Sequence, residues 1–340
     1  MPPERRDAAE ACHESRPPAP LVGVVVVVFE QSDEEISRFA GALGSLTYAN
    51  FHVYFVNNSP GRDPRYLIKG SHFHPVSLIE SGGNLGFTGG ANVGIASALA
   101  DGCSLALLLN TDVEFLCPEM IQRLLGPFFI DQSCGMVSPV ITQAPKCELI
   151  WYSGADVGAW SGIPRHPGLG RRYRPVTSPE AQRTPVSNGC CVLISGRMFE
   201  ELGGFDDEFF AYFDEVDLSV RARSAGYHIY LWPEAMVGHY KSGRTLSSVE
   251  AYYMTRNALI FVRKHMTPFR LPIAVLCQIT VALPAYLIRS RSRKAKAAWM
   301  RGVRDGFRAL FDQHTAPRTA SVAPNRGYEQ RPSDQASDDA

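Results

Sequence analysis

The sequence predicts an α/β protein with a doubly wound, mostly parallel central sheet flanked by helices. Residues 21–29 (LVGVVVVVF) form a continuous β-branched run, which is typical of a strand buried on both faces. Segments of strand and helix character alternate with short links over the first 115 residues. Polar residues follow two of the predicted strands directly, at the edge where such sheets bind ligands.

The other elements follow from local patterns. Apolar side chains at helical spacing predict a helix over 33–46, and a glycine-rich stretch leads into a second helix over 89–100. Further strands are predicted at 51–56, 76–80 and 105–109 in the first half, and at 189–194 and 227–233 in the second. A short helix is predicted over 197–202, and a longer one is capped by Asp214 and ends before Gly226.

Composition limits the possible partners and the compartment. The 340 residues carry 34 basic and 34 acidic side chains, and this balance gives no support for a nucleic-acid partner. The eight cysteines contain no CxxC pair, which favours reduced thiols and a cytoplasmic location. Residues 1–20 lack the apolar core of a secretion signal, so we expect a disordered lead there and a disordered tail over 313–340.

One segment has an unusual hydropathy. Residues 271–288 (LPIAVLCQITVALPAYLI) are almost wholly apolar, and the basic stretch RSRSRKAK follows them. Eighteen residues is the lower limit for a membrane span. A helix that lies in or dips into the cytoplasmic face of the membrane fits at least as well, and a helix buried against the main domain is the alternative. We therefore predict a helical, membrane-associated region over 266–312.

The stretch IESGGNLGFTGGANVG, from Ile79 to Gly94, concentrates glycine and asparagine between a strand and a helix. It contains neither GxGxxG nor GxxxxGK[ST], so both common nucleotide fingerprints are missing. A glycine-rich turn into a helix still offers N–H groups and a partial positive charge to an anion. Asn84 and Asn92 can hydrogen-bond a sugar or a base. The alternative is a tight turn whose glycines serve packing alone.

Two further strand ends carry candidate metal ligands. The triplet NTD follows the Leu-rich strand at 105–109, and the oxygens of Asp112 suit a Mg²⁺ or Mn²⁺ ion that bridges to a diphosphate. The alternative for this triplet is an Asx turn. His239 follows the strand at 227–233 closely, and that position makes it a candidate second ligand, although a lone histidine is usually structural.

The segment FFAYFDEVDLSVR supplies candidate acids. Glu215 lies between aromatic-rich segments, where desolvation can tune a carboxylate as a general base. Acids also open helices because the dipole favours them. That simpler interpretation suits Asp217, which we expect to pair with Arg221 four residues later.

The order of these motifs is more specific than any one of them. A buried Val run precedes N-x-G-F-x-G-G-x-N and N-T-D, and G-G-F-D-x-x-F-F-x-Y-F-D-E-V-D-L-x-x-R, A-x-V-x-H and R-N follow. Over residues 21–265 this order resembles the family 2 glycosyltransferases with the GT-A fold, particularly the rhamnosyltransferase-like branch that builds bacterial surface polysaccharides. Residues 203–221 are the most specific part.

The resemblance implies an inverting transferase that moves rhamnose or a similar sugar from a dTDP- or UDP-linked donor to a glycan or lipid-linked glycan. The half at 21–115 would bind the donor and the half at 116–265 the acceptor. Asp112 and His239 would hold Mg²⁺ or Mn²⁺, and Glu215, or alternatively Asp214, would be the catalytic base. The resemblance implies a donor site formed by Asn57, Asn84, Gly86, Gly89, Gly90, Asn92, Asn110, Asp112 and Arg256.

The chain departs from the family pattern at three places. Phe29–Glu30–Gln31 stands where the family has T-Y-N, Asn57 replaces the aspartate that reads the base, and Asp214–Glu215 reverses the commoner order. Asn57 can still accept a hydrogen bond from a pyrimidine N–H. A catalytically degenerate scaffold protein of polysaccharide assembly is therefore the alternative function. A nucleotidyltransferase would carry a basic glycine-rich loop after the first strand, and the acidic FEQSDEE does not fit.

Overall fold

The computed structural model describes residues 19–59, 61, 75–240 and 245–311. Their strands form one ten-stranded mixed sheet and a separate two-stranded ribbon, and helices cover both faces of the sheet. This architecture confirms the predicted fold class. The predicted tail at 313–340 and nearly all of the lead at 1–20 lie outside the described residues.

The elements follow each other in chain order. The strands are β1 Val22–Val28, β2 Phe51–Asn57, β3 Val76–Glu80, β4 Leu105–Leu109, β5 Val113–Phe115, β6 Cys134–Gln143, β7 Ile150–Tyr152, β8 Asp156–Val157, β9 Pro164–Arg165, β10 Gln182–Arg183, β11 Cys191–Ser195 and β12 His228–His239. The helices are α1 Asp33–Leu43, α2 Gly86–Ala100, α3 Met120–Ile130, α4 Gly196–Leu202, α5 Asp214–Ser224, α6 Ser248–His265, α7 Leu271–Cys277, α8 Leu283–Arg289 and α9 Arg293–Phe311. A π-helical turn, Gln278–Ala282, joins α7 to α8.

The parallel half of the sheet places the polar motifs of the first half of the chain at one edge. Strands β4, β1, β2 and β3 lie side by side in this order and run parallel. Strand β1 is buried on both faces, as predicted, because Val24 and Val26 face α1 while Val25 faces α2. The predicted strands over 76–80 and 105–109 have the observed bounds.

The second half is added to the same sheet. Strand β11 lies antiparallel between β4 and β6, and β12 runs parallel to β6. The end of β12 also pairs with β5, so that His239 lies opposite Val113. Strands β4, β6 and β12 therefore all end at the edge where the polar strand ends gather.

Helix α5 begins differently from the prediction. Phe213, not Asp214, is the residue that caps the helix, and Asp214 is its first residue. Asp217 is fully buried and its carboxylate contacts Arg221, as predicted, at 2.7 Å. It also contacts Lys264 and His265 of α6, each at 2.7 Å. These ion pairs fasten α5 to α6.

Helices α6 and α9 form a close pair on the second half. A Cβ atom at Gly302 would lie 2.5 Å from the carbonyl oxygen of Tyr252, and one at Gly306 would lie 3.0 Å from that of Arg256. The two glycines are thus required for the approach of α9. The segment Leu271–Arg289 connects the pair, and within the described chain it is the one helix long and apolar enough to cross a bilayer.

Candidate active site

Three predicted motifs meet next to the start of β11. The backbone N–H of Asn110 donates to the carbonyl oxygen of Cys190 at 3.0 Å, which joins the NTD triplet to this point. A Cβ atom at the neighbouring Gly189 would lie 3.7 Å from both Glu215 Cβ and Phe87 Cε1. The strand-end triplet, the first turn of α2 and the acids of α5 therefore surround one position.

The predicted metal ligands contact each other. His239 Nε2 lies 3.1 Å from Asp112 Oδ2. The β5–β12 ladder sets this distance, because the N–H of Tyr240 donates to the carbonyl oxygen of Asp112. The imidazole is almost fully buried against the edge of Trp151, whereas the Asp112 side chain is 43% exposed. One ligand is thus held by packing while the other faces outward.

This pair fits a divalent ion that shares its coordination with a ligand. No group of three or more His, Cys, Asp or Glu side chains is clustered as a metal site within the described residues. Two protein donors leave several positions for diphosphate oxygens and water, which is how Mg²⁺ and Mn²⁺ are commonly held at phosphate sites. An imidazole donor suits Mn²⁺ better than the strongly oxygen-preferring Mg²⁺. The buried Nδ1 of His239 has no hydrogen-bond partner in the described chain.

Asp214 and Glu215 form a coupled carboxyl pair. Asp214 is buried, and this burial, followed by the charge of Glu215, raises its pKa well above the ordinary value. Burial also raises the pKa of Glu215, which the hydrogen bond from Asp214 opposes. Two neighbouring carboxyls do not both ionise readily, so the more deeply buried Asp214 retains the proton longer.

The backbone in front of this pair is held in an unusual conformation. Phe210, Tyr212 and Phe213 have φ values of 62°, 65° and 70°. Bulky side chains rarely adopt this left-handed region, so residues 209–213, which we call the aromatic loop, carry local strain. Such strain persists only where the surroundings hold the backbone in place.

Asn257 of α6 supplies that support. Its buried amide nitrogen lies 2.8–2.9 Å from the carbonyl oxygens of Phe209, Ala211 and Tyr212. Aromatic contacts add to it, since Tyr253 stacks on Phe210 with ring centroids 5.0 Å apart. The signal in the sequence was the R-N pair alone, which does not reveal a partner 45 residues earlier.

The aromatic loop also explains part of the glycine stretch. A Cβ atom at Gly86 would lie 2.4 Å from the carbonyl oxygen of Phe210, and the N–H of Thr88 donates to the same oxygen at 3.1 Å. Gly90 is required for a different contact, because a Cβ atom there would lie 2.6 Å from Val27 of β1. Gly89 is crowded by the side chain of Leu85. These glycines therefore permit close approach between protein segments.

Asn84 and Asn92 both have structural contacts. Asn84 accepts a hydrogen bond from the N–H of Gly86 at 3.0 Å and so forms the turn into α2. Asn92 is buried, donates to the carbonyl oxygen of Phe205 and to Asp207, and accepts from the N–H of Phe205. Its amide ties α2 to the segment that precedes the aromatic loop. The donor contacts expected of both residues stay predictions.

Arg256 likewise contacts the protein itself. Its Nη1 donates to the carbonyl oxygen of Glu208 and to Asn257 Oδ1, each at 2.8 Å. It therefore extends the support of the aromatic loop, and the expected donor contact stays a prediction.

Asn57 lies at the base-reading position implied by the resemblance, and a second residue accompanies it. Its amide nitrogen donates to the Glu80 carboxylate at 3.0 and 3.1 Å, and its oxygen accepts from the N–H of Ser59. The two side chains meet because Asn57 and Glu80 are paired at the ends of β2 and β3. A carboxylate is thus present beside residue 57, contributed by the neighbouring strand.

Comparisons with known proteins find glycosyltransferases among the relatives of the chain. No family model matches the sequence. A low-salt glycan biosynthesis hexosyltransferase of Haloferax volcanii is 29% identical over 211 residues, which cover 60% of this chain and 62% of that protein. An N-acetylglucosaminyl-diphospho-decaprenol L-rhamnosyltransferase of Mycobacterium tuberculosis is 26% identical over 303 residues, which cover 80% and 96%. The chain thus spans less than two thirds of the hexosyltransferase and nearly all of the rhamnosyltransferase.

A solved structure shares the fold. A mannosyltransferase from Pyrobaculum calidifontis in complex with GDP-Man and Mn²⁺ matches with a TM-score of 0.54 at 15% identity, over 86% of this chain and 88% of that one. The fold of the chain is therefore the GT-A fold. In sequence, the chain is similar to rhamnosyltransferases and hexosyltransferases, as its motifs predict.

The role of Asn257 leads to a prediction about the loop. In Asn257→Ala, the carbonyl oxygens of the aromatic loop lose their shared donor, so the strained backbone relaxes. We expect amide hydrogen exchange over 209–215 to accelerate by at least about tenfold, which corresponds to roughly 1.4 kcal/mol of lost local stability.

Thr255→Val is the matched control. Thr255 lies on the same helix, is equally buried, and its hydroxyl has no hydrogen-bond partner within the described chain. We expect exchange over 209–215 to stay unchanged in this variant. Equal acceleration in both variants would mean that α6 as a whole, not the amide of Asn257, restrains the loop.

Proposed function

We propose that this protein is an inverting, metal-dependent glycosyltransferase that moves a rhamnosyl or similar hexosyl group from a dTDP- or UDP-linked donor to a hydroxyl of a glycan. The observation that carries the proposal is that the Asp112–His239 pair and the Asp214–Glu215 pair belong to segments that meet beside Gly189 and Cys190. One pair suits a diphosphate-bound cation and the other suits proton abstraction. Together they suit a single displacement at a sugar carbon.

The residues of the chain have distinct roles in this reaction. Asp112 and His239 would hold Mn²⁺ or Mg²⁺, which neutralises the charge growing on the leaving diphosphate. Glu215 takes the proton of the acceptor hydroxyl as that oxygen attacks the anomeric carbon on the face opposite the diphosphate. Asp214 stays protonated and positions Glu215. The anomeric configuration is inverted in one step, and no covalent enzyme intermediate forms.

Glu80 is our candidate for reading the base. Uracil and thymine present an N–H that a carboxylate accepts, and charge-assisted hydrogen bonds are the stronger kind. Asn57 fixes the carboxylate by donating to both of its oxygens. Glu80 therefore supplies the carboxylate that the family places at position 57.

The acceptor follows from the relatives and the apolar segment together. The mycobacterial relative is named for a decaprenol-linked acceptor. In this chain, Leu271–Arg289 and the basic residues after it are suited to an anionic membrane surface. We infer transfer to a lipid-linked glycan in surface polysaccharide biosynthesis, at the cytoplasmic face of the membrane.

A nucleotide titration tests the proposed function. We expect UDP or dTDP to bind the purified chain in the presence of Mn²⁺, and both Asp112→Ala and His239→Ala to weaken this binding by at least about tenfold through loss of the cation. The measurement is calorimetric titration with UDP, dTDP, GDP and CDP, with and without Mn²⁺. Asp156→Ala, a surface aspartate of β8, is the control. Absence of binding for every nucleotide in either condition would favour the scaffold alternative.

The assignment of the base gives a second prediction. Glu215→Gln removes the proton acceptor without changing the side-chain size, so we expect turnover to fall by about 10²–10⁴-fold while nucleotide binding is kept. The activity of the unmodified chain should fall as the pH is lowered. This loss should begin at a pH above the ordinary pKa of glutamate, since burial raises the pKa of Glu215. Asp214→Asn retains a hydrogen-bond donor and should lose less. A greater loss in Asp214→Asn than in Glu215→Gln would make Asp214 the base.

The proposed recognition of the nucleotide base by Glu80 gives a third prediction. Glu80→Gln replaces a carboxylate by an amide, which weakens a charge-assisted bond by roughly 1.5–3 kcal/mol, or about 10–100-fold in affinity. We expect this loss for UDP and dTDP and a smaller loss for CDP, because N3 of cytosine carries no hydrogen to donate. Glu34→Gln on the exposed face of α1 is the matched control. Equal loss for all nucleotides would show that Glu80 does not read the base.

A further inference from the structure

The segment Leu271–Arg289 exposes apolar side chains along its outer face. Phe269, just before it, and Ile288, at its end, are each 77% exposed, and Leu276 is 59% exposed. Ile273, Ile279 and Val281 continue the row between them. These six residues, which we call the apolar ridge, form a surface that soluble proteins rarely leave in water.

A tryptophan from another part of the chain joins the ridge. Trp160 lies on the turn between β8 and β9 and is 47% exposed. Its ring lies 6.0 Å from that of Phe269, and the guanidinium of Arg270 lies 4.9 Å above it. Tryptophan beside a cationic side chain is a combination enriched at the boundary between water and lipid.

The inner face of the same segment is fixed to the protein. Ala274, Gln278, Ala282, Leu283 and Tyr286 are buried. Gln278 donates to the carbonyl oxygen of Ser161 at 3.1 Å, and Trp299 of α9 donates to that of Leu283 at 2.9 Å. Both neighbouring helices, α6 and α9, pack against each other, so both ends of the segment return to one domain. This geometry holds the segment along the protein surface.

Positive charge borders the ridge at both ends. Arg270 lies at its start, and Arg291, Arg293, Lys294 and Lys296 follow its end with exposed side chains. Residues 289–308 contain eight basic side chains and one acidic side chain, Asp305. Each basic residue near an anionic bilayer contributes favourable energy that salt screens.

We propose that the apolar ridge, with Trp160 and the flanking cations, is a docking surface for an anionic lipid bilayer, in which the segment lies parallel to the membrane plane. The occupant is a lipid surface because the apolar side chains have no polar rim along the ridge. The cations lie only at its two ends. A protein partner of matching shape would require no such charge. This inference deepens the proposed function. It rests on that function only in explaining why the protein needs to bind a membrane.

Vesicle flotation of the full chain tests the docking surface, with neither donor nor acceptor present. We expect binding to vesicles of phosphatidylcholine with phosphatidylglycerol, weaker binding to phosphatidylcholine alone, and weakening by added salt. Phe269→Glu combined with Leu276→Glu should reduce binding by about tenfold or more, since acyl-chain contact is replaced by charge. Ile130→Glu, at an 81% exposed apolar residue of α3, is the matched control and should bind normally.

A second pair of variants tests the cations. Arg293→Ser with Lys294→Ser should weaken binding to the anionic vesicles only, whereas Arg165→Ser with Arg197→Ser removes equal charge elsewhere and should not. Equal loss in both pairs would overturn the docking surface in favour of a general charge effect. Absence of vesicle binding by the unmodified chain would overturn it outright.

Two further readouts separate the alternatives. If sedimentation shows a dimer that Phe269→Glu with Leu276→Glu dissociates, and no vesicle binding occurs, the ridge contacts a second copy and the proposal is wrong. Nucleotide binding is measured on the same variants and should be unchanged. Vesicle binding without nucleotide binding would overturn the proposed function and leave the docking surface in place. Nucleotide binding without vesicle binding would overturn the docking surface and leave the proposed function in place.

Discussion

The position of Asp214 and Glu215 depends on a backbone that the chain would not adopt without support. Three aromatic residues of the loop at 209–213 occupy the left-handed region, each at a cost of about 1–3 kcal/mol. The compensation comes from one amide, Asn257, together with stacking and burial against α6. Since the loop leads directly into Asp214, its fixed carbonyls determine where α5 begins and where Glu215 points.

The glycine stretch shows how one pattern can have two physical causes. The family resemblance attributes the missing side chains to the approach of a nucleotide sugar, whereas in the structure Gly86 and Gly90 leave room for Phe210 and Val27. Gly82 and Gly83, before α2, face open space. The packing alternative therefore accounts for the glycines inside the helix. The close contact at Gly86 also joins α2 to the aromatic loop, which leads into Asp214 and Glu215.

Much of the fold follows from local patterns, and the exceptions have physical reasons. Strands β1 and β4 can be predicted from their Val and Leu runs because both faces of each strand are buried. Strand β6 was not predicted, since Gly135, Ser138 and Pro139 interrupt its apolar pattern. The buried Ser138 hydroxyl is satisfied by the N–H of Asn188, a contact that spacing along the chain does not reveal.

Some residues of the candidate site can likewise be predicted from the sequence, and others cannot. Asp112, His239 and Glu215 are visible because each polar residue stands next to an apolar strand or aromatic run. Glu80 is not, because its partner lies on another strand, and the R-N pair does not reveal that Asn257 holds the aromatic loop.

Helix α6 links the two surfaces on which the proposed activity depends. One face holds the aromatic loop through Asn257 and Tyr253, and the backbone at Tyr252 and Arg256 lies within 3.0 Å of where side chains at Gly302 and Gly306 would stand. Such an interface has no room for sliding, because close-packed helices lack the side-chain layer that absorbs small shifts. The apolar ridge is fastened to the same pair of helices through Trp299. A membrane that fixed the ridge would therefore fix the orientation of the acids relative to the lipid surface, and a lipid-linked hydroxyl would have to reach Glu215 at a height set by the protein alone.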